Sequence, residues 1–212
     1  MTPSPAFGER PRSATYLAIL HAAMADMEET GEAAIRVARI LEESESSYGS
    51  IYHHFGSREG LIQAALVERY VATLSLGLEV FSAAVEAATT VSDVVALVVS
   101  EVERFGSSEL VENRHRRINA LGAAMYRPEV LAEIAQHQSA HYDNVAQALT
   151  IVQDRGLIDG SVNLRAFSSW FLGLALSRFF AEIDEPMDLS SWSSQTVAAT
   201  LAVLRLPPPP RD

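Results

Sequence analysis

The sequence predicts an all-α protein, with three short helices at the N-terminus followed by a bundle of longer ones. Apolar residues recur at three- and four-residue intervals along almost the whole chain, the period of a helix with one buried face. Strand signals are nearly absent: no alternating apolar run is bounded by turns, and no Asn-Gly or Asp-Gly dipeptide joins two such runs. Apolar residues form 48% of the 212, enough for a sizeable core.

The first helix carries Leu17, Leu20, Met24 and Met27 at helical spacing, with Ser13 placed to cap its start and Gly31 its end. A second, over about 33–43, buries Val37, Ile40 and Leu41. Ser46-Ser47 interrupts, a third runs from Tyr48 to Phe55, and Ser57 after Gly56 caps a long helix opening at Arg58. Further helices are expected near 58–88, 92–105, 108–124, 127–154, 163–183 and 191–204. Thr89-Thr90, Gly106-Ser107, Arg127-Pro128, Gly156, Asp159-Gly160 and Glu185-Pro186 separate them. Pro207–Pro210 forms a stiff tail.

Composition narrows the chemistry. The absence of cysteine removes disulfides, thiolate zinc sites and cysteine nucleophiles. All 16 cationic side chains are arginine, which removes lysine Schiff bases and P-loop chemistry. The N-terminal stretch has no basic-then-apolar signal pattern, and the longest apolar runs, such as 94–99, fall far short of a membrane span. A cytoplasmic protein with no membrane association is expected. The net charge of −11 argues against a nucleic-acid partner, because phosphate binding needs cationic surface.

Against that stands one segment, residues 47–61, Ser-Tyr-Gly-Ser-Ile-Tyr-His-His-Phe-Gly-Ser-Arg-Glu-Gly-Leu. Three short helices before a long one suggest a helix-turn-helix, and this segment closely resembles the signature of the tetracycline-repressor (TetR) family. The likeness spans about a quarter of the chain with the two preceding helices; the remainder matches only in helix number and length. It implies a DNA-binding domain at 1–57 and an effector-binding and dimerisation domain at 58–212. It also implies a transcriptional regulator, not an enzyme: a ligand-responsive repressor acting as a homodimer on palindromic double-stranded operator DNA. Two-fold symmetry would set the recognition helices one DNA turn apart, around 34–36 Å.

The residues of the motif suit that role. Ser47 caps the third helix, whose exposed N–H groups can face a phosphate, and Gly49 lets the backbone approach a groove. Ile51 and Phe55, four apart, face the core. That leaves Tyr48, Ser50, Tyr52, His53 and His54 for the surface. By resemblance Ser47, Tyr48 and Gly49 lie nearest base edges, Ser50, Tyr52 and His54 contact phosphates, and Arg58 stands where the family has lysine. The plainer alternative is that Tyr52 and the histidines only cover the three-helix core.

The chain departs from the family pattern in three ways. Arg36 stands where Ser or Thr caps the second helix, and Ser44-Glu45-Ser46 replaces Ala-Gly-Val in the turn. Residues 1–60 hold five arginines against nine acids, a balance of −4. Arg36 and Arg39, with Arg10 and Arg12 on an N-terminal arm, are the candidates to offset it.

In the second domain, histidines interrupt apolar stripes. His141 and Gln138 fall on the face of Leu131, Ile134, Val145, Leu149 and Val152, with His137 at its edge. His115 aligns with Val111, Ile118 and Met125. A polar group facing a core costs about 1–3 kcal/mol unless satisfied. A cavity for a small, largely apolar effector would satisfy them, anchored by His115, His137, Gln138 and His141 and walled by Phe105, Met125 and Trp170. The helices at 58–88, 92–105, 108–124, 127–154 and 163–183 are expected to enclose it. Histidines bonded within an ordinary core are the alternative. His137 and His141 have the spacing of a two-histidine metal face, but no acid shares their stripe, so no metal or other cofactor is expected. Arg114, Arg116 and Arg117 are expected on a solvated face, paired with Glu109 and Glu112. The helix 163–183 is apolar nearly all round, implying burial on two sides; with 191–204 it is the expected dimer interface.

Two other functions compete. An all-helical enzyme could draw on the histidines and Asp143, but no motif fixes a nucleophile, an oxyanion hole or a metal triad. The acidic head and altered turn fit a TetR-like ligand-binding or interaction protein whose DNA-binding head has degenerated.

Overall fold

The computed structural model describes residues 12–31 and 35–209. Among them are ten α-helices and no strand: α1 (Ala14–Thr30), α2 (Val37–Glu43), α3 (Tyr48–Phe55), α4 (Arg58–Ala72), α5 (Leu78–Ala87), α6 (Val91–Arg104), α7 (Ser108–Ala124), α8 (Pro128–Asp154), α9 (Leu164–Glu182) and α10 (Leu189–Leu204). None is long and apolar enough to cross a membrane. The chain packs as two compact units, Met1–Val71 with Ala120–Ile134, and Ala72–Asn119 with Ala135–Asp212. The sequence sets the boundary at 57/58. Packing divides the chain later, so that nearly all of α4 belongs with the three helices before it.

In the first unit, local side-chain chemistry sets the helix ends. The Ser13 hydroxyl accepts from the Tyr16 N–H, and Gly31, at φ 80°, closes α1 by donating to the Met27 carbonyl. Ser47 and Ser57 accept from the N–H groups of Ser50 and Gly60, starting α3 and α4. The core takes Ile19, Leu20, Ala23 and Met27 from α1, Ile40 from α2, Ile51 and Phe55 from α3, and Leu61, Ile62 and Leu66 from α4. Val37 and Leu41 are only half-buried, while Ile35, just before α2, is buried. The expected start of α2 near 33 lies partly outside the described residues; from Ile35 on, the helix begins at Val37.

Arg36 occupies the N-cap position of α2 and supplies no side-chain cap. Instead its backbone N–H donates to the carboxylate of Asp26, fully buried on α1, at 2.8 Å. A carboxylate from a neighbouring helix thus takes up the N-cap backbone N–H, the role that the N3 side chain has in a capping box.

The helix expected over 58–88 is two helices. Residues 73–77 form a turn, and Gly77, at φ 79°, is the left-handed N-cap of α5. A Cβ there would lie 2.6 Å from the Arg104 guanidinium, so glycine serves both the backbone turn and the close approach of that side chain.

The second unit is built on α5, α6, α9 and α10 with the adjoining parts of α7 and α8. A capping box starts α6, Thr90 accepting from the Asp93 N–H and Asp93 from the Thr90 N–H. The core joins Val94, Val98, Val102 and Phe105 of α6 to Val145, Leu149 and Val152 of α8, Phe167 and Phe171 of α9, and Leu201 and Leu204 of α10. One face of α9 is thus buried. The opposite face, with Trp170, Gly173 and Phe180, is exposed.

Candidate functional site

The outward face of α3 follows from its period. Ile51 and Phe55 point inward, which turns Tyr48, Gly49, Tyr52 and His53 to the surface beside the exposed cap Ser47. Tyr48 is 59% and Tyr52 65% exposed. Large aromatic side chains so placed on a short helix have no part in the unit's own core. Ser50 and His54 are half-buried. The His54 ring meets Tyr16 edge-on at 6.0 Å, and Tyr16 stacks on Phe55 at 4.7 Å. His54 therefore helps close the edge of the core while part of its ring stays exposed.

The arginines of this unit are heavily used within it. Arg39 bonds Glu29, bonds Glu43 at 2.6 Å and lies 3.3 Å from Asp26, so it offsets acids on α1 and α2. Arg12 pairs with Glu68 at 2.9 Å, and Arg58, exposed at the start of α4, donates to the Ile35 carbonyl at 3.2 Å. Arg36 remains exposed, 3.7 Å from Asp26. Arg10 lies outside the described residues. In the turn, Glu45 takes a left-handed conformation at φ 49°, which glycine adopts more readily.

The second unit holds a cavity of about 80 Å³ with mainly aliphatic and aromatic walls from Phe81, Val94, Val98, Leu149, Phe167 and Phe171. Four polar side chains interrupt them: Glu101, Arg104, His141 and Thr200. Glu101 is buried and accepts from Arg104 at 2.6 and 3.2 Å, while Thr200 donates to the Thr196 carbonyl. His141 is 9% exposed and, among the described residues, its ring makes no hydrogen bond to protein. Burial and the nearby charge of Arg117 push its pKa down to about 4, so the ring is neutral at ordinary pH.

Of the expected cavity residues, Phe105 and His141 line this space. His115 is exposed, its ring edge-on to Phe179 at 5.7 Å. Gln138 accepts from Arg117. Met125 and Trp170 are exposed and His137 half-buried, and none of the three lines the cavity. The inward face of α7 is displaced from the expected stripe and runs through Arg114, Arg117, Ala120 and Ala124. The basic cluster is accordingly not a solvated face: only Arg116 is exposed, paired with Glu112 at 2.7 Å. Arg114 is buried against Glu182 and the carbonyls of Phe105 and Ala175.

Glu101, Arg104 and the α10 contribution were not anticipated. Glu101 carried a legible signal, since it lies on the stripe Val94, Val98, Glu101, Phe105 and interrupts it as His141 interrupts that of α8. Nothing local marked Thr200.

A family model described as bacterial regulatory proteins, tetR family, matches residues 19–65, which span most of α1 through the first half of α4. The HTH-type transcriptional regulator UidR of Escherichia coli (strain K12) is 29% identical over 161 residues, which cover 76% of this chain and 77% of that protein. Among solved structures, Salmonella enterica GusR superposes with a TM-score of 0.61 at 19% identity, covering 90% of this chain and 95% of that one. A Mesorhizobium loti protein described as a TetR-family transcriptional regulator gives a TM-score of 0.67 at 17% identity, covering 92% and 98%. SmeT, solved as a complex with triclosan, gives 0.56 at 23% identity, covering 94% and 99%. The head of this chain, over residues 19–65, thus matches the tetR family of bacterial regulatory proteins, and its all-helical fold is shared along nearly the whole chain with solved structures described as members of that family.

Proposed function

We propose that this regulator is a ligand-responsive, cytoplasmic repressor that binds palindromic operator DNA as a homodimer and releases it when a small, largely apolar molecule fills the cavity of the second unit. The outward face of α3 carries the reading: Tyr48, Gly49, Tyr52 and His53 stand clear of the core beside a capped helix start. Residues 1–57 serve DNA and 58–212 serve effector and partner. The cavity supports the effector role because it is apolar with a few convergent polar groups. A structural relative solved with a small molecule has the same fold. The exposed stripe Trp170, Gly173, Phe180 on α9, together with the exposed Ala199 and Val203 of α10, supports the dimer. Release requires that the effector bind free protein more tightly than operator-bound protein.

A salt titration against random duplex DNA tests the head. Binding whose affinity falls steeply with added salt is expected. The second reading, a ligand-binding protein with a degenerate head, is favoured by the engagement of Arg39 with three acids. Under that reading no binding appears even at low salt.

A further inference from the structure

Of the four polar side chains that line the cavity, three are engaged by the protein itself. Arg104 donates twice to Glu101, and Thr200 donates to the Thr196 carbonyl. The fourth, His141, is 9% exposed, and among the described residues neither ring nitrogen shares a hydrogen bond with protein. Leaving both unmet in an apolar space costs free energy that a bound polar group recovers. Glu101 and Arg104 cancel one another in charge, and burial keeps the imidazole neutral, so the described lining carries no net charge. An ionised ligand entering this low-dielectric space would find no charge left over to oppose its own. A neutral imidazole presents one N–H donor and one bare nitrogen, and a hydroxyl answers either because it both donates and accepts.

We infer that the effector is an uncharged, short-chain alcohol, its hydroxyl bonded to His141 and its carbon body packed among Val94, Val98, Leu149, Phe167 and Phe171. This rests on the reading of the cavity as the effector site. The apolar walls reward the carbon body, and the single unmet side chain fixes its orientation. Size limits the body: the cavity, at about 80 Å³, has roughly half the ~150 Å³ that accommodates a benzene ring in an apolar core. A chain of about four carbons therefore fits.

NMR titration of the full chain with butan-1-ol, 1-chlorobutane, butanoate and butylammonium at neutral pH tests the inference. A hydroxyl buried without a partner would make the alcohol bind about tenfold more weakly than the chloride. With His141 as partner, the alcohol should bind at least as tightly as the chloride, and both ions about tenfold or more weakly than the alcohol. His141→Leu, of similar volume, should put the chloride ahead of the alcohol by about tenfold. Val98→Trp, which fills the cavity, should abolish binding of both. Chloride binding tighter than the alcohol in the unsubstituted protein, and lost in Val98→Trp, would overturn the hydroxyl contact and leave the effector cavity standing. An ion that binds as tightly as the alcohol overturns the uncharged class. Alcohol binding that survives Val98→Trp lies elsewhere and overturns the inference. If none of the four binds, the inference and the cavity reading fall together. The comparison of the four probes needs only the unsubstituted protein, so it stands even if a variant fails to fold.

Discussion

His141 shows how one buried side chain couples the cavity to pH. Its pKa is held at about 4, below the ordinary 6.5, first by burial and then by the charge of Arg117. Between those values the unfolded chain binds a proton that the folded protein refuses, so the contribution to stability is complete above about pH 6.5 and is lost as pH falls toward 4. The difference between wild type and His141→Phe in denaturant unfolding should therefore change by roughly 2–3 kcal/mol across that window. Parallel pH profiles would place the titration elsewhere. At the head, Tyr52→Phe removes one hydroxyl from a proposed phosphate contact and should weaken all DNA sequences alike, by roughly 0.5–1.5 kcal/mol. Tyr48→Ala should instead change which operator is preferred in a sequence-selection experiment, and an unchanged preference removes Tyr48 from the base-reading set. Tyr48 was legible as surface because Ile51 and Phe55 fixed the inward face of α3. His54 was harder to assign: its neighbour Tyr16 is remote in sequence, on α1.

Helix ends and helix faces differed in how far they could be read. Ser13, Ser47 and Ser57 cap their helices because a hydroxyl and an N–H three residues on are neighbours in sequence. The break between α4 and α5 was missed because Thr73, Leu74 and Leu76 keep an apolar rhythm through the turn, and Gly77 alone marks it. Gly77→Ala should cost roughly 1–2 kcal/mol, since alanine is disfavoured at φ 79° and its methyl must displace the Arg104 guanidinium. A melting temperature equal to wild type would show that the turn can relax. On α7 the inward face was misplaced because Arg114 and Arg117 read as solvent-facing until their partners, Glu182 and Gln138, are known. Glu182→Leu, which strands Arg114, should destabilise the protein by about 3–5 kcal/mol in urea unfolding.

At the scale of the whole molecule, the proposed dimer rests on the second surface of α9. The all-round apolar character of this helix reflects two different burials, one by its own core and one proposed by a second copy. Phe171 belongs to the core, whereas Phe180 is 71% exposed and Gly173 has open space around its Cα. Gly173→Glu and Phe180→Glu should leave the fold intact, yield monomers in sedimentation, and weaken operator binding by the loss of paired half-sites. Dimers that persist in both variants would move the interface away from this face.

The sequence by itself determined the all-helical class, most helix limits and the surface of the recognition helix. All depend on residues three or four apart, or on a side chain meeting backbone within the same turn. The tertiary structure alone decided the cavity. Its walls come from α5, α6, α8, α9 and α10, including Thr200 on a helix that no local pattern assigned to it. It also decided which charges lie inside, since Arg114 is buried by virtue of Glu182, 68 residues away. A charge enters a core only with a partner, and pairing across that distance is a property of packing rather than of periodicity.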